Sequence, residues 1–579
     1  MHGVKTSLWY VLIVCVVCSG ACLGVRAQST DPTTFICGEL LGRPTGTSVA
    51  LNIATDRDAD VYVEFGRASG SYGAQTAVQA ARANQPVTIR VAPLDPDARY
   101  YYRVRYRQSG SQTFAARTER SFRTARPRGA AFRFAIEADP HLDEATNPDL
   151  YRRTLGNILT GGSDFLIDLG DTFMSDKLPV IDSASILARH LLFRTFFDSV
   201  AHSLPLYLVI GNHEGENGWY ISDAQGGLAG QAARTRLRYY PNPLPDDFYS
   251  GDTTRVSFAG VRGNAYAWEW GNALFVALDP YWYTAPKPGT SVDNWGWTLG
   301  KAQYDWFARV LSGSSAPFKF VFAHQVVGGL DAEGRGGIEA APFYEMGGNN
   351  ADGSWGFASH RPGWPKPLHD LMKQYHVTAF FHGHDHVYVQ QELDGITYQE
   401  LPQPGYYNFT SPDKSYSNTG LAAKYGYTHG TVLSSSGYLR VSVEDTTARV
   451  DYIRSYMPEH ETGSQHNGDI GASYVLRPAG GVTAVPERGV PAGPCSLDPN
   501  YPNPFNPSTT LAFHLAVGGP VRLEIVNVLG ECVRTLIEGA LDAGSHAVRF
   551  DGAQLPSGVY RAVLHAGGGQ AVQTLVLQK

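Results

Sequence analysis

Five short polar motifs stand along the middle of this chain, and each directly follows a short apolar run. The motifs are Asp139-Pro140-His141, Gly170-Asp171, Gly211-Asn212-His213-Glu214, His324 and Gly383-His384-Asp385-His386. The preceding runs are Phe132 to Ala138, Phe165 to Leu169, Leu204 to Ile210, Phe318 to Ala323 and Val377 to Phe381. Such short runs, rich in β-branched and aromatic residues, predict strands that are buried on both faces. Because ligand sites in open α/β sheets lie outside the carboxyl ends of the strands, we expect the motifs to meet at one edge.

The motifs together supply side chains that hold divalent metals. These side chains are Asp139, His141, Asp171, Asn212, His324, His384 and His386. Their mixture of oxygen and nitrogen donors suits a pair of borderline or hard cations. Taken singly, Gly170-Asp171 is common turn chemistry, and a lone His324 is more often a core histidine. The last motif is the strongest, because alternate histidines after an apolar strand can face one cavity.

Predicted helices alternate with these strands. They cover Pro148 to Leu159, Ser185 to Ser203, Lys301 to Leu311 and Pro367 to Tyr375. A further apolar run, Ala273 to Leu278, ends in Asp279-Pro280 without a second ligand, and it predicts a core strand. The alternation predicts an α/β class with a mixed, largely parallel sheet packed between helices.

In this order the motifs resemble those of calcineurin-like metallophosphoesterases, whose pattern is DxH, GD, GNH[ED], H and GHxH. The resemblance places that catalytic domain at 127–476 and implies a β-sandwich core flanked by helices. It also implies residue roles at the matching positions. One metal would bind Asp139, His141 and His386, the other would bind Asn212, His324 and His384, and Asp171 would bridge the two. His213 would lie beside the substrate without binding metal.

The chemistry of two metals agrees with these roles. A carboxylate has two oxygens and can span two cations, which makes Asp171 the natural bridge. A water shared by the metals ionises near neutral pH, so the expected nucleophile is a metal-bridging hydroxide that attacks a phosphomonoester or phosphodiester. We expect His213 to assist the leaving group, with Glu214 as a candidate for the residue that orients it.

Purple acid phosphatases share this scaffold, often behind a β-sandwich, but the chain departs from their pattern. Their second motif reads GDxxY, with a tyrosine that binds ferric iron, whereas this chain has Met174 at that position. Their last motif continues GHxHxYER, whereas here Gly383 to Gln390 reads GHDHVYVQ. We therefore expect two divalent ions of manganese, zinc or iron, a choice that ligand type leaves open.

The Gly-rich segment from Val327 to Trp364 lies between two ligand motifs and is the best candidate for substrate selection. Its Arg335 and Arg361 are suited to bidentate contacts with phosphate oxygens, although a surface role is the commoner fate of an arginine. The sequence leaves both roles open.

The ends of the chain predict export. Residues 1–27 have the charge, apolar run and AxA-like end of a secretory signal peptide, and the run is too short for a retained membrane span. Residues 28–126 have short alternating strands and resemble a fibronectin type III β-sandwich, including a tyrosine corner around Tyr100. A linker covers 477–497. Residues 498–579 predict an Ig-like β-sandwich and resemble the type A carboxy-terminal sorting domain of the type IX secretion system. The resemblance implies that this secretion machinery is a partner and that the protein is secreted or held at the cell surface.

Composition narrows the function further. The chain has 579 residues, 43% of them hydrophobic, which is enough for several cores. A formal net charge of -7 offers no basic stripe, so an obligate nucleic-acid partner is not expected, and a small phosphorylated substrate is. The alternative is a catalytically inactive surface-binding or adhesion protein on a phosphoesterase scaffold. The complete ligand set argues against that loss.

Overall fold

The computed structural model describes residues 33–142, 146–289, 293–405, 420–463, 465–478, 495–497, 500, 503–515, 517–528 and 530–579. These residues form two compact units, one within 1–479 and the other within 480–579. The predicted signal peptide and most of the predicted linker lie outside the described residues. No helix in the described ranges is long and apolar enough to cross a bilayer.

The first part of the larger unit is a β-sandwich. Its strands are β1 (Phe35–Gly42), β2 (Val49–Thr55), β3 (Ala59–Gly66), β4 (Ala74–Gln75), β5 (Gln79–Ala81), β6 (Pro86–Val91), β7 (Arg99–Gln108), β8 (Ala115–Ala116) and β9 (Arg120–Arg123). One sheet has the order β1-β2-β6, and the other is built on β4-β3-β7-β8 with β5 and β9 at its edges. Alternate residues of β3 are buried, as expected for a sheet with one face in a core. The Asp95 N–H donates to the Tyr100 hydroxyl at 2.9 Å, a contact of the tyrosine-corner kind. The fibronectin type III assignment itself stays a prediction.

The rest of the larger unit contains the remaining elements of residues 132–476. The strands are β10 (Phe132–Glu137), β11 (Phe165–Asp168), β12 (Leu206–Leu208), β13 (Ser250–Gly251), β14 (Arg255–Val256), β15 (Gly260–Val261), β16 (Tyr266–Trp270), β17 (Ala273–Ala277), β18 (Phe318–Phe322), β19 (Ala379–His382), β20 (Tyr388–Leu393), β21 (Ile396–Glu400), β22 (Thr431–Leu433), β23 (Gly437–Val443), β24 (Ala448–Arg454) and β25 (Ile470–Leu476). The helices are α1 (Pro148–Thr160), α2 (Ser183–Phe197), α3 (Gly227–Tyr239), α4 (Gly300–Gly313), α5 (Tyr344–Gly347), α6 (Phe357–His360), α7 (Leu368–Gln374) and α8 (Gly420–Lys424).

Apart from β14 and β15, which pair with each other, these strands form two large mixed sheets packed face to face. The six-stranded sheet has the order β12-β11-β10-β23-β24-β25, and the eight-stranded sheet has the order β13-β16-β17-β18-β19-β21-β20-β22. The strands that carry the motifs are parallel to one another within each sheet. The α/β class with a helix-flanked β-sandwich core is confirmed. The expectation of a single sheet between helices is wrong, because two sheets share the core.

Alternation along β10 explains the layers. Phe132, Phe134 and Ile136 point into an aromatic core between the sheets, where Phe134 meets Phe275 of β17 edge-on at 5.0 Å. Ala135 points the other way, into a second core under α1 and α2. A third core lies between the eight-stranded sheet and helices α4 and α7. The sandwich of sheets is therefore covered by helices on both outer faces, and the motif strands are buried on both sides.

The smaller unit is a second β-sandwich. Its strands are β26 (Cys495–Leu497), β27 (Ser508–Leu515), β28 (Gly519–Val526), β29 (Cys532–Leu541), β30 (Gly544–Asp551), β31 (Gly558–Ala566) and β32 (Gly569–Leu577). A three-stranded sheet, β26-β27-β30, faces a four-stranded sheet, β29-β28-β31-β32, over a shared apolar core. Alternating apolar residues of β28 such as Leu523 and Ile525 fill that core, as their spacing predicts.

Arg194 of α2 ties the first sandwich to the catalytic part of the chain. Its guanidinium is fully buried and donates to the Gly38 carbonyl at 2.6 Å, to Asn52 Oδ1 at 2.6 Å and to the Tyr239 carbonyl at 2.8 Å. Gly38 and Asn52 belong to β1 and β2. The contact satisfies backbone groups that would otherwise be buried without partners.

We expect Arg194→Ala to destabilise the larger unit by about 3 kcal/mol, because several buried carbonyl oxygens lose their donor at once. Chemical unfolding followed by tryptophan fluorescence measures the change. Arg82→Ala is the matched control, since the Arg82 side chain is 70% exposed and its pair with Asp58 is worth little. Equal midpoints for the two variants would contradict the prediction.

Candidate metal centre

The carboxyl ends of the motif strands from both sheets come together at one place. Strands β10, β11 and β12 of the six-stranded sheet lead into the first three motifs, and β18 and β19 of the eight-stranded sheet lead into the last two. Because the sheets are stacked, the loops that follow these strands face one another. The sequence predicted one edge of one sheet, and the structure supplies the adjoining ends of two.

A first set of ligand atoms lies at the mouth of this region. Asp139, His141 and His386 each offer one atom, and these atoms all lie within 4.8 Å of one another. Nε2 of His386 is 3.5 Å from Asp139 Oδ1, and Nε2 of His141 is 3.7 Å from the same oxygen. The side chain of Asp139 is completely buried, whereas that of His386 is 23% exposed. This set is open to solvent on the His386 side.

A second set lies deeper and contains Asp171, His324 and His384. The His324 Nδ1–H donates to the Leu169 carbonyl at 2.9 Å, and the His384 Nε2–H donates to the Glu333 carbonyl at 3.0 Å. Each ring therefore uses one nitrogen on an oxygen that can only accept. The remaining nitrogens, Nε2 of His324 and Nδ1 of His384, face each other at 3.3 Å. Two facing lone pairs call for a positive charge between or beside them.

Asp171 lies between the two sets. Its Oδ2 is 3.3 Å from His324 Nε2 in the second set and 3.7 Å from His141 Nε2 in the first. Its Oδ1 accepts the His213 backbone N–H at 2.8 Å, which orients the carboxylate. This position is the one that a bridging carboxylate needs.

Asn212 contributes a buried carboxamide. Among the described residues its Oδ1 has no hydrogen-bond partner, although Asn212 is only 4% exposed. A buried acceptor without a donor is costly, and a cation would satisfy it. Oxygen and nitrogen donors of this kind fit divalent manganese, zinc or iron.

The electrostatics of the region also favour positive charge. Burial opposes the ionisation of Asp139 and Asp171, yet the surrounding imidazoles, His324 foremost, hold the pKa of both carboxyl groups below the usual range. Burial likewise opposes protonation of His324, but the carboxylates of Asp171 and Asp139 raise its pKa to about 10. Burial, together with His324, holds the pKa of His384 well below its ordinary value, so that ring stays neutral as a metal ligand must.

The backbone is strained at most of the predicted ligands. Positive φ angles occur at Asp139 (59°), His141 (49°), Asp171 (53°), His384 (81°) and His386 (62°). Side-chain-bearing residues rarely adopt this conformation, and it persists only where the surroundings impose it, most often at functional sites. The cluster of strained residues is a sign of function that is independent of the side-chain chemistry.

The motif glycines allow the loops to approach one another. A Cβ on Gly170 would lie 2.4 Å from the Gly211 backbone nitrogen, and one on Gly383 would lie 2.5 Å from Asp139 Oδ2. Glu214 joins the same loops: its carboxylate accepts the backbone N–H groups of Gly211 at 2.5 Å and Thr172 at 2.6 Å. The glycines in the motifs therefore reflect close backbone packing, beside the ligand chemistry of their neighbours.

His213 is held by a residue that the sequence did not indicate. Its Nδ1 lies 3.0 Å from both carboxylate oxygens of Asp176, and the Tyr220 hydroxyl donates to the same carboxylate at 3.2 Å. The prediction that Glu214 orients His213 is wrong, because Glu214 is occupied by backbone N–H groups. Asp176 stands in a 3₁₀ turn, Ser175–Lys177, that follows the second motif, and only its place in a motif loop could have pointed to it.

A comparison with models of protein families identifies the family of the domain that carries this site. The model for calcineurin-like phosphoesterases matches residues 132–388, a range that contains all eight predicted site residues. Residues 132–388 form a calcineurin-like phosphoesterase domain. A second model, for the secretion system C-terminal sorting domain, matches residues 500–578. The chain therefore carries a secretion sorting domain that follows its phosphoesterase domain in the sequence.

The chain is also similar to individual acid phosphatases and to one solved structure. Tartrate-resistant acid phosphatase type 5 of Homo sapiens is 23% identical over 301 residues, which cover 51% of this chain and 76% of the human protein. The Mus musculus protein of the same name is 22% identical over 310 residues, with 52% and 77% covered. The solved structure of PhoD shares the fold, with a TM-score of 0.55 and 16% identity over 79% of this chain and 94% of that one. The chain is a metal-dependent phosphoesterase, and thus a phosphoric ester hydrolase.

The phosphoesterase domain differs from purple acid phosphatases at the position of their metal-binding tyrosine. Met174 is buried there and offers only a thioether, a soft and weak donor. The ring two positions after the candidate bridge, Phe173, instead stacks on His190 of α2 at 3.9 Å. The loop after the second motif is thus secured by packing on a helix.

We expect Gly383→Ala to reduce the metal content of the phosphoesterase domain, because the added Cβ would displace the Asp139 carboxylate. Elemental analysis of the purified protein should give clearly fewer metal ions per chain than the unaltered protein holds. Gly156→Ala is the matched control, since a Cβ at this position of α1 meets no heavy atom within 4 Å. Full metal content in both variants would contradict the prediction.

Proposed function

We propose that this chain is a secreted or surface-held phosphoesterase with two divalent metals, and that it hydrolyses small phosphomonoesters or phosphodiesters. The observation that carries the proposal is the position of Asp171 between two buried ligand sets. A single-metal site would need only one of the sets. Two adjoining sets around a shared carboxylate suit an in-line displacement, in which charge develops on both the attacking and the leaving oxygen.

The closeness of the ligand atoms within each set supports the following division, in which Asn212 is assigned by the family resemblance. Asp139, His141 and His386 would hold one cation, His324, His384 and Asn212 the other, and Asp171 both. Bound divalent cations supply a water of lowered pKa and stabilise charge on the phosphoryl oxygens. The deep set is more buried, so substrate would approach from the more open side, near His386 and His213.

His213 is positioned to act on the leaving group. Its ring lies 6.4 Å from that of His141, centroid to centroid, which puts it beside the first ligand set without joining it. Asp176 accepts from Nδ1, so the proton available to a substrate oxygen would be on Nε2. Asp176 is a positioning residue in this scheme, because it would act through His213.

Export would follow from the two ends of the chain. The carboxy-terminal sorting domain would engage the type IX secretion machinery after the predicted signal peptide has directed the chain to the periplasm. The enzyme would then meet phosphate esters outside the cell. A substrate of this location is a small soluble ester or a phosphorylated surface component.

The direct test is metal content together with turnover. We expect about two manganese, zinc or iron ions per chain by elemental analysis, and hydrolysis of p-nitrophenyl phosphate or bis-p-nitrophenyl phosphate. Asp171→Ala should lose both metal and turnover, because it removes the residue that the two sets share. Full metal with no turnover of any ester would favour the inactive surface-binding alternative. No uptake of any of the three metals would refute the proposal.

The role of His213 has a test that loss of activity alone does not provide. If His213 protonates the leaving group, His213→Ala should slow an alkyl phosphate by about 100-fold or more, and p-nitrophenyl phosphate much less, because nitrophenolate needs little assistance. Asp176→Asn should shift the two rates in the same direction by a smaller factor, with metal content unchanged. Equal losses with both esters would rule out the general-acid role.

A further inference from the structure

Three cationic side chains on the loops near the metal centre are candidates for contact with substrate, and two of them form ion pairs that hold the loops together. Arg361 donates to Glu345 Oε2 at 2.5 Å and to the carbonyls of Trp295 and Trp297. Arg335 lies against the ring of Tyr425 at 4.8 Å and pairs with Asp331 at 3.3 Å. Both arginines therefore hold loops together. The third cation, Lys287, is also paired, but its side chain is more exposed than those of the two arginines.

Lys287 is presented at the surface by a stiff segment. Pro286 and Pro288 flank it, which limits the backbone freedom of the segment. Its side chain is 39% exposed, and its ammonium lies 3.4 Å from Glu333 Oε2 and 5.9 Å from the centre of the Trp219 ring. The ammonium thus touches two loops at once.

Through Glu333, Lys287 is linked to a proposed metal ligand. The carbonyl of Glu333 is the group that accepts from the His384 ring at 3.0 Å. The residue whose side chain pairs with Lys287 therefore positions a proposed metal ligand through its backbone. A single residue, Glu333, thus connects Lys287 to the deep ligand set.

Through Trp219, Lys287 is also linked to the residues that hold His213. Trp219 adjoins Tyr220, whose hydroxyl donates to Asp176, the partner of His213. The loop of Lys287 also packs on this segment, because a Cβ on Gly218 would lie 2.5 Å from the Trp282 carbonyl oxygen. Lys287 therefore lies between the loop of His213 and the Gly-rich segment of Glu333, two segments that each contact residues of the metal centre.

We propose that Lys287 is a specificity-determining residue that binds a second anionic group of the substrate, such as a second phosphate. This inference rests on the proposed function, in which the metal centre takes the phosphoryl group that reacts. An ammonium on a stiff segment that is held by an exposed ion pair offers a point charge to an anion without fixing the anion's orientation. The preferred substrates are accordingly phosphate esters with two phosphate groups rather than one.

Glu333 holds Lys287 in place until such a substrate arrives. The Glu333 side chain is 45% exposed, and exposed ion pairs are weak, so a phosphate can take its place at low cost. Glu333 is therefore a competitor for the ammonium. This competition gives the proposal a specific test.

The test compares fructose 1,6-bisphosphate with fructose 6-phosphate as substrates of the metal-loaded full chain. The measured quantity is the ratio of kcat/KM for the bisphosphate to kcat/KM for the monophosphate. We expect Lys287→Ala to lower this ratio by about tenfold through the KM of the bisphosphate, and Lys287→Arg to retain most of it. Lys301→Ala, which removes an exposed lysine paired with Asp305 on α4, is the matched control and should leave the ratio unchanged.

Glu333→Gln separates contact with substrate from simple neutralisation of Glu333. If Lys287 binds the second phosphate, Glu333→Gln should raise the ratio, and adding Lys287→Ala in that background should lower it again by about tenfold. No effect of Lys287→Ala in the Glu333→Gln background would overturn the proposal.

Equilibrium binding of the same two sugars by calorimetry gives a readout that does not depend on turnover. Discrimination that is lost in Lys287→Ala supports the proposal even if no ester is hydrolysed, a result that would count against the proposed function alone. Unchanged discrimination in both binding and turnover would overturn the role of Lys287 while leaving the phosphoesterase proposal intact.

Discussion

Two buried carboxylates among imidazoles, where the ends of two sheets meet, constrain the rest of this structure. Asp139 and Asp171 are almost completely removed from water, and burial of a carboxylate costs several kcal/mol unless positive charge accompanies it. A proton on His324 can supply some of that charge, as its raised pKa indicates. That proton can also be shared with His384 Nδ1, which faces His324 Nε2 at 3.3 Å, but it leaves the buried oxygen of Asn212 without a donor among the described residues. A cation would satisfy that oxygen as well as the carboxylates.

The need to crowd ligands explains the unusual backbone of the motif loops. Seven ligands from five loops can converge only if the loops approach more closely than side chains normally allow. Gly170, Gly211 and Gly383 permit that approach, and left-handed residues turn the chain sharply after β10, β11 and β19. The strain of order 1–3 kcal/mol per left-handed residue is offset by the large cores on both faces of the sheets. A rigid sandwich is accordingly a requirement of the site.

The sequence predicted the motif strands and the helices between them, because these depend on local patterns of polarity. The grouping of the ligands came from the family resemblance and stays a prediction, although the atoms of Asp139, His141 and His386 and those of Asp171, His324 and His384 do lie close together. The strand-helix alternation did not predict that the strands divide between two sheets, and only the family resemblance implied a β-sandwich. A run such as Phe318 to Phe322 is apolar on both faces whichever sheet it joins, and its partners come from distant parts of the chain. Asp176 was missed for a similar reason. The path of a loop, rather than adjacency in sequence, decides which carboxylate faces His213, so the neighbour Glu214 turned toward the backbone instead.

The first β-sandwich is part of the folding unit of the phosphoesterase domain rather than an appended module. Without β1 and β2, Arg194 would keep the Tyr239 carbonyl and Asp198 but lose its bonds to Gly38 and Asn52. The same helix, α2, carries His190, on which Phe173 of the second motif loop stacks. One helix therefore contacts the sandwich through Arg194 and the metal loop through His190. Because α2 has buried contacts in both directions, displacement of the sandwich would loosen the packing behind Asp171, and the sandwich stabilises the metal centre from a distance without contributing a ligand to it.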